Sequence, residues 1–167
     1  MKKLFIVLSI VTASVFTANA QDNASGFHFG GGLRLGLPIG DFSETHNFGI
    51  GAELQGEYMF SEKFSATITT GYTHFLGKDF AGVKMDGVGL IPILAGVRVY
   101  PSTNIFIGGK VGYGLLTGGG SSDGALNYEP HVGYNAERFQ LALGYNGLSK
   151  DGSTLSHIAL TGIFKFN

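Results

Sequence analysis

From residue 26 to the end of the chain, apolar and non-apolar residues alternate with a period of two. Successive side chains of a β-strand point to opposite faces, so this period writes half-buried strands. Eight segments carry it, at 26–37, 48–60, 64–73, 91–99, 105–115, 127–136, 139–146 and 157–166. With each register set to gather the apolar residues, one face holds Phe27, Leu33 and Leu35 of the first segment and Ile50, Leu54 and Tyr58 of the second. It ends with Ile158, Leu160, Phe164 and Phe166 of the eighth. No Asp, Glu, Lys or Arg falls on this face. Every charge located within a segment (Arg34, Glu53, Glu57, Arg98, Lys110, Glu129 and Lys165) falls on the other, beside many of the 28 glycines.

The first twenty residues do not belong to this pattern. Lys2 and Lys3, an apolar run over 4–11 and the small-x-small site Ala18-Asn19-Ala20 read as a cleavable secretory signal peptide. The domain division expected is signal peptide 1–20 and one barrel domain over 21–167, with Gln21 the mature N-terminus. A membrane-anchoring helix is the alternative, but the run is short for a span of about 20 residues. Elsewhere the longest stretch free of polar side chains, Val88 to Val97, contains Gly89, Pro92 and Gly96. A chain with no such helix can cross a bilayer only as a closed barrel, the other structure that satisfies every backbone group in lipid.

Eight strands of about 11 residues fit the 147 that remain. The connections alternate as well. Those at 60–64, 100–105 and 136–139 are tight, while those at 38–47, 75–87, 116–126 and 147–155 are longer, with Gly118-Gly119-Gly120-Ser121-Ser122 a flexible external loop and Asp123-Gly124 a turn signal. Short periplasmic turns and longer outer loops are the habit of outer-membrane barrels, and an even strand count puts both termini on the periplasmic side. A soluble, lipocalin-like barrel would alternate too, with its apolar face inside. The small, charge-poor character of the polar face suits the inside of a narrow barrel better than a water-facing exterior. Because proline removes a ladder hydrogen bond, Pro38, Pro92 and Pro130 are expected toward the outer rim, with Pro101 in a turn.

The Leu37-Pro38-Ile39-Gly40-Asp41-Phe42 stretch, the Phe60-Ser61-Glu62-Lys63-Phe64 turn, Ile91-Pro92 with Gly96-Val97-Arg98, and Tyr145-Asn146-Gly147 with Ser149-Lys150-Asp151-Gly152 carry a resemblance, together with the terminal strand. The chain resembles the small eight-stranded outer-membrane β-barrels, the OmpA-transmembrane-domain and OmpX-like group, over 21–167. Asn167 departs from members that end in Phe, and no peptidoglycan-binding domain follows the barrel. The resemblance implies an all-β, antiparallel up-and-down transmembrane barrel in the cell outer membrane, with outer-membrane lipid as its partner. It also implies insertion machinery that reads the C-terminal strand at Phe164 and Phe166.

Chemistry is sparse. With 11 basic and 12 acidic residues the chain is no nucleic-acid binder. Without cysteine it has no disulfide scaffold, thiol nucleophile or Cys-type zinc site. Of the five histidines, His46 and His74 lie in or beside loops and His28, His131 and His157 face the lumen. No spacing guarantees a nucleophile within reach of a base, and Gly30-Gly31-Gly32 opens no helix, so it is no dinucleotide loop. The expectation is no enzyme, no cofactor and no metal. The seven strand charges remain. Glu53 and Lys110 fall near mid-barrel with Arg34 slightly above, Glu57 and Arg98 fall lower, and Lys165 lies at the end. Four positive and three negative groups in a lumen that side chains just fill read as an ion-pair plug. The expected role is a structural or surface-interaction barrel, the alternative a narrow porin-like channel. Phe42, Phe48, Phe75 and Phe80 stand out as contact anchors on the loops, and no loop ligand can be named.

Overall fold

The computed structural model describes residues 26–80, 83–119 and 121–167. The signal peptide and its cleavage before Gln21 fall outside the described residues. Eight long strands form the wall: β1 (Gly26–Ile39), β2 (His46–Ser61), β3 (Phe64–Gly77), β4 (Val88–Ser102), β5 (Ile105–Gly118), β6 (Ser121–Asn135), β7 (Phe139–Lys150) and β8 (Ser153–Lys165). Each pairs antiparallel with its sequence neighbours, and β1 also pairs with β8, which closes an up-and-down barrel. Among the described residues no helix is long and apolar enough to cross a membrane.

The register sets the shape. His28, Glu57, Thr67, Gly96, Lys110 and Glu129 are successive partners from β1 to β6. Asn146, His157 and Pro38 carry the same line through β7 and β8 back to β1, ten residues beyond its start. Such a stagger means tilted strands, which a narrow closed barrel requires. At the seam Phe166 N–H donates to the Phe29 carbonyl. The Asn167 side-chain amide then continues the ladder, accepting from Phe29 N–H and donating to the Phe27 carbonyl.

The two faces are inverted relative to a soluble protein. Leu33, Leu54, Ile68, Ile93, Val111 and Leu143 on the outside are each half exposed or more, while Arg34, Glu53, Glu57, Arg98, Lys110 and Glu129 inside are almost fully buried. Water penalises an exposed apolar wall, which an apolar surround does not, and burial of the inner charges is offset by pairing them. The exterior is that of a membrane-spanning barrel. Its aromatic residues gather toward the two ends, with Phe27, Phe29, Tyr58, Phe60, Phe64, Tyr134, Phe139, Phe164 and Phe166 around the end that bears the termini. Tyr72, Tyr113, Tyr128 and Tyr145 lie toward the far end, as in the aromatic girdles of outer-membrane barrels.

The far-end connections differ from expectation. Strands β5 and β6 continue until Gly118 faces Ser121, so Ser122, Asp123 and Gly124 are strand residues and only 119–120 connect them. Strands β7 and β8 continue to the pair Lys150 and Ser153, joined by Asp151 and Gly152, both at positive φ. That is the two-residue geometry whose twist matches paired strands. The first connection holds a short helix, α1 (Asp41–Thr45), entered through Gly40 at φ 59°. The second holds a two-residue ladder of 79–80 with 83–84.

The prolines differ too. Pro38 lies near the far end of β1, as expected, but Pro130 is well inside β6 and not at a rim. It pairs with Gly109 on the β5 side, whereas the β6–β7 ladder skips Glu129 and Pro130. Pro92 pairs with Gly114, and the β3–β4 ladder skips Gly71, Tyr72, Ile91 and Pro92. The missing N–H is tolerated by interrupting one ladder and keeping the other.

Candidate functional site: the charged lumen

Alternation sends one set of side chains inward on every strand, and the stagger brings residues from distant strands to one height. Arg34 (β1), Glu53 (β2), Lys110 (β5) and Glu129 (β6) meet there as a closed ring. Arg34 Nη1 donates to Glu53 Oε2 at 2.7 Å, and Arg34 Nη2 to Glu129 Oε2. Lys110 Nζ reaches Glu53 Oε1 at 3.2 Å and Glu129 Oε1 at 2.9 Å. Each cation bridges both carboxylates, so the ring is neutral and every member has two partners of opposite sign. Thr161 Oγ1 accepts from Arg34, and Asn146 Nδ2 donates to Glu129 Oε2 at 3.0 Å.

Toward the terminal end lies a second network, centred on Arg98. Its Nη1 donates to Glu57 Oε2 and to Gln140 Oε1, both at 3.1 Å, its Nη2 to Gln55 Oε1 at 2.7 Å, and its Nε to His131 Nε2 at 3.1 Å. The guanidinium also sits 4.3 Å from the centroid of the Phe106 ring, a cation–π contact. Glu57 accepts from Ser65, Tyr100 and Gln140 as well. A carboxylate with that many donors is held rigidly in place. Lys165, the seventh expected member, joins no carboxylate among the described residues; its Nζ donates to Asn135 Oδ1 at 3.1 Å.

Toward the far end the lumen is apolar. Phe42 of α1 packs edge-on against Phe75 with ring centroids 5.0 Å apart, over Leu90, Ala125 and Leu148. Gly36 and Gly49 make the room, since a Cβ at either position would run into the Phe75 ring. This revises the reading of the loop aromatics. Phe42 and Phe75 are buried and cap the lumen, so neither can anchor a partner. Phe48 is exposed, on the outward face of β2.

Between cap and ring lies one layer whose polar groups are not all satisfied. Both amide atoms of Asn127, the Asn146 Oδ1 and the His157 Nε2 are buried without a hydrogen-bond partner. The expectation that the lumen histidines are satisfied holds for His131, which also meets the Glu129 carbonyl through Nδ1, and fails for His157.

Gln55 and Gln140, which tie the lower network together, were not singled out from the sequence. An uncharged amide at an inward strand position was the available signal.

The fold is that of the small eight-stranded outer-membrane β-barrels. The sequence matches no known protein family and no curated protein. Among solved structures, it is similar to Ail, the attachment invasion locus protein of Yersinia pestis, solved in complex with the heparin analogue sucrose octasulfate. That match has a TM-score of 0.61 and 15% identity over 86% of this chain and 99% of that one. The outer membrane protein OprG from Pseudomonas aeruginosa matches with a TM-score of 0.51 and 14% identity over 86% of this chain and 97% of that one. A transmembrane β-barrel designed de novo matches with a TM-score of 0.52 and 12% identity over 88% and 99%. At these identities the likeness is one of architecture.

Proposed function

We propose that this chain is an integral outer-membrane barrel with both mature termini periplasmic, and that its role is structural or surface-interacting and non-enzymatic. In this reading Arg34, Glu53, Glu57, Arg98, Lys110, Glu129 and Lys165 belong to a polar plug that closes the lumen to solutes. Lys165 contributes through Asn135. The observation that carries the reading is the four-membered neutral ring, whose charged groups are engaged with one another across the barrel. The apolar cap of Phe42 and Phe75 supports closure from the far side. The partners are outer-membrane lipid along the apolar wall and, through the terminal strand with Phe164 and Phe166, the barrel-insertion machinery.

The polyanion seen with Ail does not transfer on chemistry. The far-end half of this chain's strands and connections carries Asp41, Glu44, Asp79, Asp86, Asp123 and Asp151 against Lys78, Lys84 and Lys150. An excess of carboxylates repels a sulfated sugar. Planar-bilayer recording of the refolded protein tests the reading. The closed barrel conducts little; a large, steady wild-type conductance defeats closure and favours the narrow channel.

A further inference from the structure

The outer wall carries hydroxyl groups at a place where its neighbours are hydrocarbon. Toward the far end of β6, β7 and β8, parity turns Tyr128, Tyr145, Gly147, Ser149, Thr154 and Ser156 outward. Gly147 pairs with Tyr128 on one side and Ser156 on the other, and Ser149 pairs with Thr154. At the edges of this group Leu126 stands opposite Ser149, and Ile39 of β1 stands opposite Ser156. The three short hydroxyl side chains thus cut a polar notch into an apolar rim.

The two tyrosines lean into the notch. Tyr145 pairs with Ile158, yet its hydroxyl meets Ser156 Oγ at 2.7 Å, two residues nearer the far end. The Tyr128 ring lies over Gly147, where a Cβ would strike it, and its centroid is 6.2 Å from that of Tyr145. Thr154 Oγ1 donates to Ser149 Oγ at 3.3 Å. A hydroxyl has one donor and two acceptor sites, so these bonds use only part of what the group offers. Hydrocarbon cannot use the rest, whereas the headgroup layer can. Directly below, Val132, Leu143 and Leu160 form one paired row of exposed hydrocarbon. Parity turns no Asp, Glu, Lys or Arg of these three strands outward, and Lys150 lies on the inward face, paired with Asp123.

We propose that the notch is a headgroup site for a sugar-headed lipid, whose acyl chains lie along Val132, Leu143 and Leu160. Sugar hydroxyls both donate and accept, which is what this set of groups can match. A phosphate is held best by cations or converging N–H donors, and the outward side chains of these strands supply neither. The aromatic girdle meets headgroups around the whole barrel; the notch adds a preference for one head chemistry on one side of it. The inference rests on the lipid-facing reading of the wall.

The test uses the full mature protein with one barrel per phosphatidylcholine nanodisc, so that no second copy can cover the face. Digalactosyl diacylglycerol is titrated into the discs and backbone amides are read by nuclear magnetic resonance. The amides of Gly147, Ser149 and Ser156 should shift saturably with its mole fraction, while those of Tyr72 and Tyr113, girdle residues of β3 and β5, should not. Tyr145→Phe combined with Ser156→Ala keeps the ring and the wall and should raise the half-saturating mole fraction by about three- to tenfold, as the loss of one or two hydrogen bonds does. Equal shifts at Tyr72 and Tyr113 would reduce the notch to ordinary girdle contact and overturn the proposal. Saturation by phosphatidic acid at the same mole fraction would overturn the head chemistry, and saturation by free galactose would overturn the lipid as its source. Contacts from lipid methylenes to the Leu143 and Leu160 methyls are read in the same samples. Their absence would sink the lipid-facing wall itself; their presence beside unresponsive notch amides sinks the site alone.

Discussion

Removing Glu53 from the ring leaves Arg34 and Lys110 sharing the single carboxylate of Glu129, with one uncompensated positive charge in the lumen. Removing Lys110 leaves Glu53 and Glu129 sharing Arg34, with one negative charge over. Removing both leaves the Arg34–Glu129 pair, neutral and still bonded to Thr161 and Asn146. Breaking a buried ion pair from one side costs about 3–5 kcal/mol. Because each survivor here keeps one opposite partner, Glu53→Ala and Lys110→Ala should each fall near the lower end, about 3 kcal/mol. The double variant restores neutrality, so a double-mutant cycle should return a favourable coupling of about 2–3 kcal/mol. Reversible urea unfolding from lipid vesicles measures all four proteins. The chain has no tryptophan, so the readout is circular dichroism or the mobility shift between folded and unfolded bands. Strictly additive losses would show that the two groups do not interact, and the ring would then be a coincidence of geometry.

Leu54→Arg places a charge on the lipid-facing wall and should cost about 2–4 kcal/mol, whereas Ser61→Arg at the terminal-end turn should cost close to nothing; equal effects in the same unfolding assay would contradict the outward apolar face. Phe75→Ala removes the centre of the far-end cap and should destabilise the barrel by about 3–5 kcal/mol, with a loss far smaller than 1 kcal/mol showing the cap to be loose. Intact mass of the membrane-extracted protein should begin at Gln21, and a mass that includes Lys2 or Leu4 would refute the cleavage site.

Within the eight segments, alternation is enough to place each residue on its face, because parity is a local property. Parity also put all seven charges inside. Which of them meet could not be read locally. Arg34 finds Glu129 only because the wall climbs ten residues per circuit, and that stagger is a property of the closed sheet. Two features that differ from expectation carry local signals. Phe75 lies two residues beyond inward Thr73, so parity already pointed it into the lumen. Asp151-Gly152 between alternating strands is among the strongest short hairpin signals, and it outweighs the polar composition of 147–155 that suggests a longer loop. Pro130 was a fair loss. The local rule against proline mid-strand is sound, and the structure evades it by interrupting the β6–β7 ladder beside Glu129.

The two interrupted ladders divide the wall. Strands β4 to β6 lie between them, and each of these two ladders skips two residue pairs beside a proline. The lumen ion pairs run across this division. Lys110 and Glu129 stand on β4 to β6 and Arg34 and Glu53 on the other five strands, and Arg98 reaches from β4 to Glu57, Gln55 and Gln140 on those five. The charges therefore act as struts. They tie strands β4 to β6 to β1, β2 and β7 across the lumen, through side chains where the backbone ladders are interrupted.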